Sequence, residues 1–136
     1  MRIIKISGYG PGDQAYQDKL TITPSSISYE CKPLLQENSR FEGAVKWSYK
    51  TNNKLFSIVF SQIAEMTPYY LYNDEDLFAT DIGPVSITAT FEDKHRETEN
   101  YFCPPSFFRD YFNVIKQLVP AVEDVPIVLR TGEEGE

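Results

Sequence analysis

The chain has 136 residues and a formal net charge of −7, and 14% of its residues are aromatic. This length corresponds to one domain that buries roughly two-thirds of the surface of its unfolded chain, so the fold needs no disulfide framework or structural metal. The negative charge argues against binding to nucleic acid or to an anionic membrane, and it favours a basic protein as the partner.

The first half of the chain contains four predicted strands. Residues 2–7 form a short strand that ends at the turn-forming segment GYGPGD, and residues 19–31 form a hairpin whose turn is PSS. Residues 44–50, AVKWSYK, alternate between apolar and polar side chains, which is the pattern of a half-buried strand.

The period of the sequence changes after Asn52 and Asn53, either of which can cap a helix over residues 54–66. Thr67–Pro68 is expected to end this helix, because the residue before a proline avoids the helical region. The predicted apolar stripe consists of Leu55, Ile58, Val59, Ile63 and Met66, with Phe56 and Phe60 beside it.

After a long connection over residues 69–84, residues 85–92 alternate strictly and predict a strand, and residues 97–103 return as its hairpin partner. A second helix begins after Pro104 and Pro105, extends to about residue 119, and is closed by Pro120. The segment DVPIVLR is a candidate for an additional edge strand.

These elements predict an α+β domain with an antiparallel sheet of about six strands in the order β-β-β-β-α-β-β-α, with two helices packed on one face. The domain spans residues 1–130, and residues 131–136 form an acidic flexible tail. The layout resembles many small bacterial α+β proteins of unknown function, and the likeness covers only the order of the elements.

The register of the hairpin within residues 85–103 depends on its loop. A two-residue loop at residues 94–95 pairs Phe91 with Thr98, whereas a three-residue loop at residues 94–96 places Phe91 opposite Glu99. We prefer the two-residue loop, because an aromatic residue does not then face a carboxylate.

His95 and Cys103 stand close together in sequence, and a nucleophile and its base must come within roughly 3 Å of each other. Eight extended residues separate them by about 26 Å, so they cannot form a dyad. Cys103 precedes a helix N-terminus, where the helix dipole lowers a thiol pKa, and this makes it a weak candidate nucleophile. A buried structural thiol is the preferred interpretation, and we expect His95 in an exposed turn.

The acidic segment around residue 75 is a weak candidate metal site through Asp74, Asp76 and Asp81. The calcium-loop pattern fails, because Phe78 replaces a ligand and Ala79 replaces the required glycine. One histidine and two separated cysteines provide no zinc quartet. We therefore predict a solvated acidic loop, with no metal and no cofactor.

Because neither a signal peptide nor a spanning segment is evident, the sequence predicts a cytoplasmic protein. The leading hypothesis is a non-catalytic protein-interaction or immunity-type module, with a homodimer left open. Its candidate surface is Tyr69, Tyr70, Tyr72, Asp74, Glu75 and Asp76. The alternative is a small-ligand binder or enzyme with a pocket between sheet and helices, using Cys103 or the loop containing Asp74, Asp76 and Asp81.

Overall fold

The computed structural model describes residues 1–10, 16–33, 45–72, 85–101, 105–121, 123 and 126–129. These residues form one six-stranded antiparallel sheet and two α-helices, which confirms the predicted α+β class and element order. The strands are β1 (Ile3–Gly10), β2 (Tyr16–Thr23), β3 (Ser26–Pro33), β4 (Val45–Lys50), β5 (Val85–Thr90) and β6 (Arg96–Tyr101). The helices are α1 (Lys54–Leu71) and α2 (Arg109–Lys116), with 3-10 turns at Pro105–Phe108 and Ile127–Leu129.

The strands lie in the order β4-β3-β2-β1-β5-β6. The first four strands form a meander, because each pairs antiparallel with its neighbour in sequence. The chain then passes through α1 from one edge of the sheet to the far side of β1, where β5 pairs antiparallel with β1 and β6 with β5. The two central strands of the sheet are therefore β1 and β2.

One face of the sheet forms the core with α1, α2 and the C-terminal 3-10 turn. Successive strand residues point to opposite faces, and the registers align the buried residues of neighbouring strands. The fully buried strand residues are Ile4, Ile6, Leu20, Ile22, Ile27, Ile87 and Ala89. Each large aliphatic side chain among them stabilises the fold by about 1.5–3 kcal/mol relative to exposure.

Helix α1 begins after Asn53, whose Oδ1 accepts a hydrogen bond from the Leu55 amide at 2.9 Å, as the capping pattern predicts. The predicted end at Thr67–Pro68 is wrong, because the helix continues to Leu71 with Pro68 inside it. The Thr67 hydroxyl donates to the Ile63 carbonyl at 2.7 Å, one turn back, and the Tyr72 amide bonds the Pro68 carbonyl at 2.9 Å. Tertiary contacts of this last turn outweigh the local cost of the proline.

The side of α1 that is buried also differs from the predicted apolar stripe. Leu55 is 67% exposed and Ile58 is 52% exposed. The buried residues of the helix are Phe56, Phe60, Ile63, Thr67, Tyr70 and Leu71. This face buries two large phenyl rings and continues past Pro68, so it removes more apolar surface from water than the predicted stripe.

The second predicted helix is a 3-10 turn followed by the shorter helix α2, with Phe108, Tyr111, Phe112 and Ile115 fully buried. Tyr111 stacks on Tyr70 of α1 with ring centroids 4.5 Å apart. Its hydroxyl lies 2.8 Å from Thr67 Oγ1 and donates to it, because the Thr67 proton is already used on the Ile63 carbonyl. Burial raises the pKa of Tyr111, so this link between the helices stays neutral.

The β5–β6 hairpin has neither of the loops considered above. The Lys94 amide bonds the Phe91 carbonyl at 2.9 Å, the Phe91 amide bonds the His95 carbonyl at 3.0 Å, and Lys94 has φ of 73°. This is a three-residue loop ending in a left-handed residue. The preferred two-residue register, which would also place Ala89 opposite Asn100, is wrong, because Ala89 pairs with Glu97.

The segment left open as a C-terminal strand is the 3-10 turn Ile127–Leu129, and a buried carboxylate attaches it to the sheet. Asp18 is 1% exposed, and its Oδ2 accepts hydrogen bonds from the Tyr29 hydroxyl at 2.7 Å and the Val128 amide at 3.0 Å. The Tyr29 oxygen in turn accepts from the Ile127 amide at 3.2 Å. Two backbone donors of the turn are thereby satisfied inside the protein.

Burial raises the pKa of the Asp18 carboxyl, against the opposing effect of the bonds from Tyr29 and the Val128 amide. Asp18 Oδ1 has no hydrogen-bond partner among the described residues. Gly8 on β1 lies opposite Asp18 in the register. A larger residue would clash there, because a Cβ at this position would lie 2.6 Å from Asp18 Oδ1 and 2.9 Å from Val128 Cγ2.

We expect Tyr29→Phe to lower the free energy of unfolding by about 1–3 kcal/mol, because the Asp18 carboxyl and the Ile127 amide then each lose a buried partner. Tyr49→Phe, at a 43% exposed position on β4, is the matched control and should change stability little. Urea denaturation of both variants measures the difference, and an equal loss in the two would contradict the assigned role of Tyr29.

The raised pKa of Asp18 also predicts how stability depends on pH. A carboxyl whose pKa is raised by folding stabilises the fold most at a pH below its unfolded value, and this contribution is lost as the pH rises through the folded value. The free energy of unfolding of the wild type, relative to that of Asp18→Asn, should therefore fall as the pH rises from acid to neutral. The fall should be about 1.4 kcal/mol for each pH unit by which folding raises the pKa of Asp18. Denaturation of both proteins across this range measures it, and an advantage that grows with pH would show that the native site favours the carboxylate.

Candidate interaction surface

The face of the sheet opposite the helices carries a concentration of positive charge. Its outward-pointing strand positions hold six basic residues and one acidic residue, Glu30. The six cations are Lys5, Lys19, Lys32, Lys46, Lys50 and Arg96, and all except the half-buried Lys5 are exposed. We call this surface the open face.

The open face has a formal charge of +5, from six cations and one carboxylate. Because the whole chain has a charge of −7, all the other residues together have −12. Among the residues that the structure describes, no ion pair within 4 Å neutralises any of the six cations. The protein therefore has a positively charged surface although its net charge is negative.

The strand registers arrange these side chains in rows across the sheet. In one row, Lys46, Glu30 and Lys19 are direct partners on β4, β3 and β2. Two shallow depressions of about 260 and 320 Å³ lie on the open face, and Lys19 and Glu30 line both of them. The densest part of the surface therefore has two ammonium groups flanking one carboxylate.

The next row consists of short hydroxyl side chains around the Lys5 ammonium. Its members across the sheet are Ser48, Ser28, Thr21, Lys5, Thr88 and Thr98. The two hydroxyl oxygens of Thr88 and Thr98 lie 2.9 Å apart and are hydrogen-bonded. A hydroxyl group both donates and accepts, so this row adds uncharged hydrogen-bonding capacity beside the cations.

A second polar cluster surrounds the β5–β6 loop, where His95 is exposed as predicted. The His95 ring bonds Asp93 through Nδ1, and its Nε2 lies 3.5 Å from Glu97 Oε2, which also accepts from the Tyr72 hydroxyl. The His95 ring stacks on Phe91 at a centroid distance of 4.6 Å. The bond to Asp93 raises the pKa of His95 and lowers that of Asp93.

The side chains of this cluster link the β5–β6 loop to strand β6 and to Tyr72. Its members lie at the surface, and none of them lines the two depressions of the open face. General acid–base groups act on a substrate held within hydrogen-bond reach, which an open loop tip does not provide.

Several predicted site residues lie outside the described residues. They are Cys103 and the acidic positions Asp74, Glu75, Asp76 and Asp81. Of the predicted tyrosine surface, Tyr69 is 57% exposed and Tyr72 is 59% exposed, whereas Tyr70 is 6% exposed. Tyr70 packs between Phe108 and Tyr111 in the helical layer, so it does not belong to an exposed surface. Cys31 is buried.

An apolar groove of about 680 Å³ lies between the start of α1 and the residues that follow α2. Its walls include Tyr49, Phe56, Val59 and Leu118, with Asn53 and Gln117 as polar groups. The described lining residues contain no carboxylate, lysine or histidine, so they offer surface for an apolar group.

No protein-family model matches the chain, and among curated proteins there is no significant sequence match. Within the described ranges, no helix is long and apolar enough to cross a membrane. The same residues contain no cluster of three or more histidine, cysteine or acidic side chains suited to a metal ion.

Sequence reasoning missed the open face, although its signal is present in the strands. Lys5, Lys19, Lys46 and Lys50 each occupy the polar phase of an alternating segment. The strand pattern predicts that this phase points away from the core. Totalling the charge for each face, as opposed to the whole chain, would have separated the basic surface from the acidic remainder.

The His95 cluster predicts a shifted imidazole titration, which NMR can follow without assignment because the chain has one histidine. We expect the pKa of His95 to lie above 6.5 and to fall towards this value in Asp93→Asn. The charged pair then stabilises the hairpin at pH values between the Asp93 and His95 pKa values, and this contribution disappears as the pH rises through the latter. A pKa at or below 6.5, or one unchanged in the variant, would contradict the assigned ion pair.

Proposed function

We propose that this domain is a non-catalytic protein-interaction module that binds its partner through the open face of the sheet. The observation that supports the proposal is the concentration of positive charge: the open face has +5, whereas the described residues outside it have −3. A concentrated charge on one surface orients an encounter with an oppositely charged partner and accelerates association.

The shape and exposure of the open face suit this role. Antiparallel strands present their side chains in regular rows, and five of the six cations are exposed at the surface. The helices pack on the other face, so partner binding would require no opening of the core.

The net charge of the chain favours a basic partner, whereas the open face favours an acidic one. The first inference averages the charge over the whole molecule, and the second uses charges that lie on one surface. Electrostatic interactions in solution are screened beyond about 8–10 Å at physiological salt, so the nearby charges determine which partner is attracted. The open face therefore outweighs the net charge in our proposal.

A second candidate function is the binding of a small apolar ligand, which the groove beside Tyr49, Phe56 and Leu118 favours. Its volume lies within the range of about 300–1,000 Å³ typical of ligand pockets. The enzymatic alternative that uses Cys103 is tested by thiol labelling of the folded protein, because an activated thiol reacts faster than an ordinary one.

The interaction proposal is tested by capture from native lysate with paired charge variants. Lys19→Gln/Lys46→Gln removes two charges from the open face, and Lys54→Gln/Lys94→Gln removes two from α1 and the β5–β6 loop. We expect the wild type and the control to retain a partner that is released at high salt. The open-face variant should retain about three- to tenfold less, since an exposed ion pair contributes about 0.2–1 kcal/mol.

Equal loss of the partner with both variants would contradict the assignment to the open face. A lysate that yields no salt-sensitive partner for the wild type would count against the interaction module itself.

A further inference from the structure

We infer that the open face binds an acidic protein segment, whose carboxylates contact the lysine rows, and that it excludes nucleic acid. This inference rests on the proposed function and adds the chemical class of the partner. It follows from the extent of the surface, the identity of its cations, the position of Glu30 and the row of hydroxyl groups.

The extent of the open face limits the size of the anion. Neighbouring strands lie about 4.8 Å apart, so six strands span roughly 24 Å. The described residues outside the open face contribute eight carboxylates and five cations, a formal charge of −3. A long phosphate backbone would extend into this negative potential, whereas a short acidic segment fits within the positive area.

The side chains of the open face also differ from those of a nucleic-acid platform. Sheets that bind single strands stack bases on exposed aromatic rings, and arginine is the preferred residue for bidentate phosphate contacts. Five of the six cations are lysines, and none of the described side chains at the outward positions of this face is aromatic. Trp47 and Tyr29 belong to the buried face.

Glu30 adds discrimination between anions. It lies between Lys19 and Lys46 in the register, so a uniformly charged polyanion would place a negative group directly against a carboxylate. An acidic segment with a neutral or basic residue at that point avoids the repulsion. Glu30 thus acts against dense polyanions, which is how like-charge contacts give specificity.

The hydroxyl row suits an acidic segment because carboxylates and peptide carbonyls are both hydrogen-bond acceptors. Ser28, Thr21 and Ser48 lie one register row from Glu30, Lys19 and Lys46. A carboxylate held by an ammonium group on one row can therefore accept a hydrogen bond from a hydroxyl group on the next. In this arrangement Lys5 is the cation at the centre of the hydroxyl row.

The test uses two synthetic anions of equal charge, a peptide of alternating glutamate and serine and a single-stranded oligothymidylate. Isothermal titration measures the affinity of the full chain for each. We expect the peptide to bind more tightly, and its affinity to fall by about tenfold or more between roughly 0.05 and 0.3 M salt, because screening shortens the range of the attraction.

Two single variants of one register row then give effects of opposite sign. Lys46→Gln should weaken peptide binding by about two- to fivefold, and Glu30→Gln should strengthen it by a similar factor. The matched controls are Lys54→Gln and Glu65→Gln, two exposed positions on α1, which should change the affinity by less than about 1.5-fold because the sheet separates them from the open face.

Tighter binding of oligothymidylate than of the peptide overturns the inference, as does an equal effect of the face and α1 variants. If the peptide fails to bind while Lys19→Gln/Lys46→Gln still abolishes lysate capture, the acidic segment is wrong and the interaction module stands. If the lysate experiment also shows no dependence on the open face, both proposals are wrong.

Discussion

Two helices and a C-terminal 3-10 turn cover one face of the six-stranded sheet and leave the other face uncovered. Because successive strand residues point to opposite faces, each strand residue belongs either to the covered face or to the uncovered one. Alternate positions enter an apolar core, in which Ile6, Leu20 and Ile87 are fully buried. The intervening positions face outward, and most of them are hydroxyl-bearing or charged. The open face is therefore a direct consequence of one-sided packing, and its charge can vary without cost to the core.

Polar links within the covered layer hold the helices and the C-terminal turn at fixed positions. Tyr111 donates to Thr67 between α2 and α1, and Asp18 accepts from Tyr29 and from the Val128 amide. Each of these groups is buried, and a buried polar group left without a partner costs about 1–3 kcal/mol. The links therefore favour one arrangement of the layer. The sheet that they support presents its open face in a preformed state, which lowers the entropic cost of binding.

The sequence determined the order of elements because strand alternation and capping residues are local signals. It did not determine which side of α1 faces the core. Phe56 and Phe60 are buried, whereas Leu55 and Ile58 are exposed. Apolar residues lie on more than one side of this helix, and burial against the rest of the fold selects one of them. Pro68 within α1 and the loop ending at Lys94 likewise depend on tertiary contacts and on loop geometry. The lysines of the open face were visible as the polar phase of the strands. Their convergence required the strand order, which places residues 5, 19 and 46 on one surface.

The central claim is that an acidic partner is bound by one basic face of an otherwise acidic domain. Acetylation of lysines, read by mass spectrometry with and without the acidic peptide, tests it residue by residue in the wild-type protein. We expect the peptide to slow acetylation of Lys5, Lys19 and Lys46 and to leave Lys54 and Lys94, which lie outside the open face, unchanged. Protection of Lys54 and Lys94 to the same extent, or protection of none of the five, would contradict it.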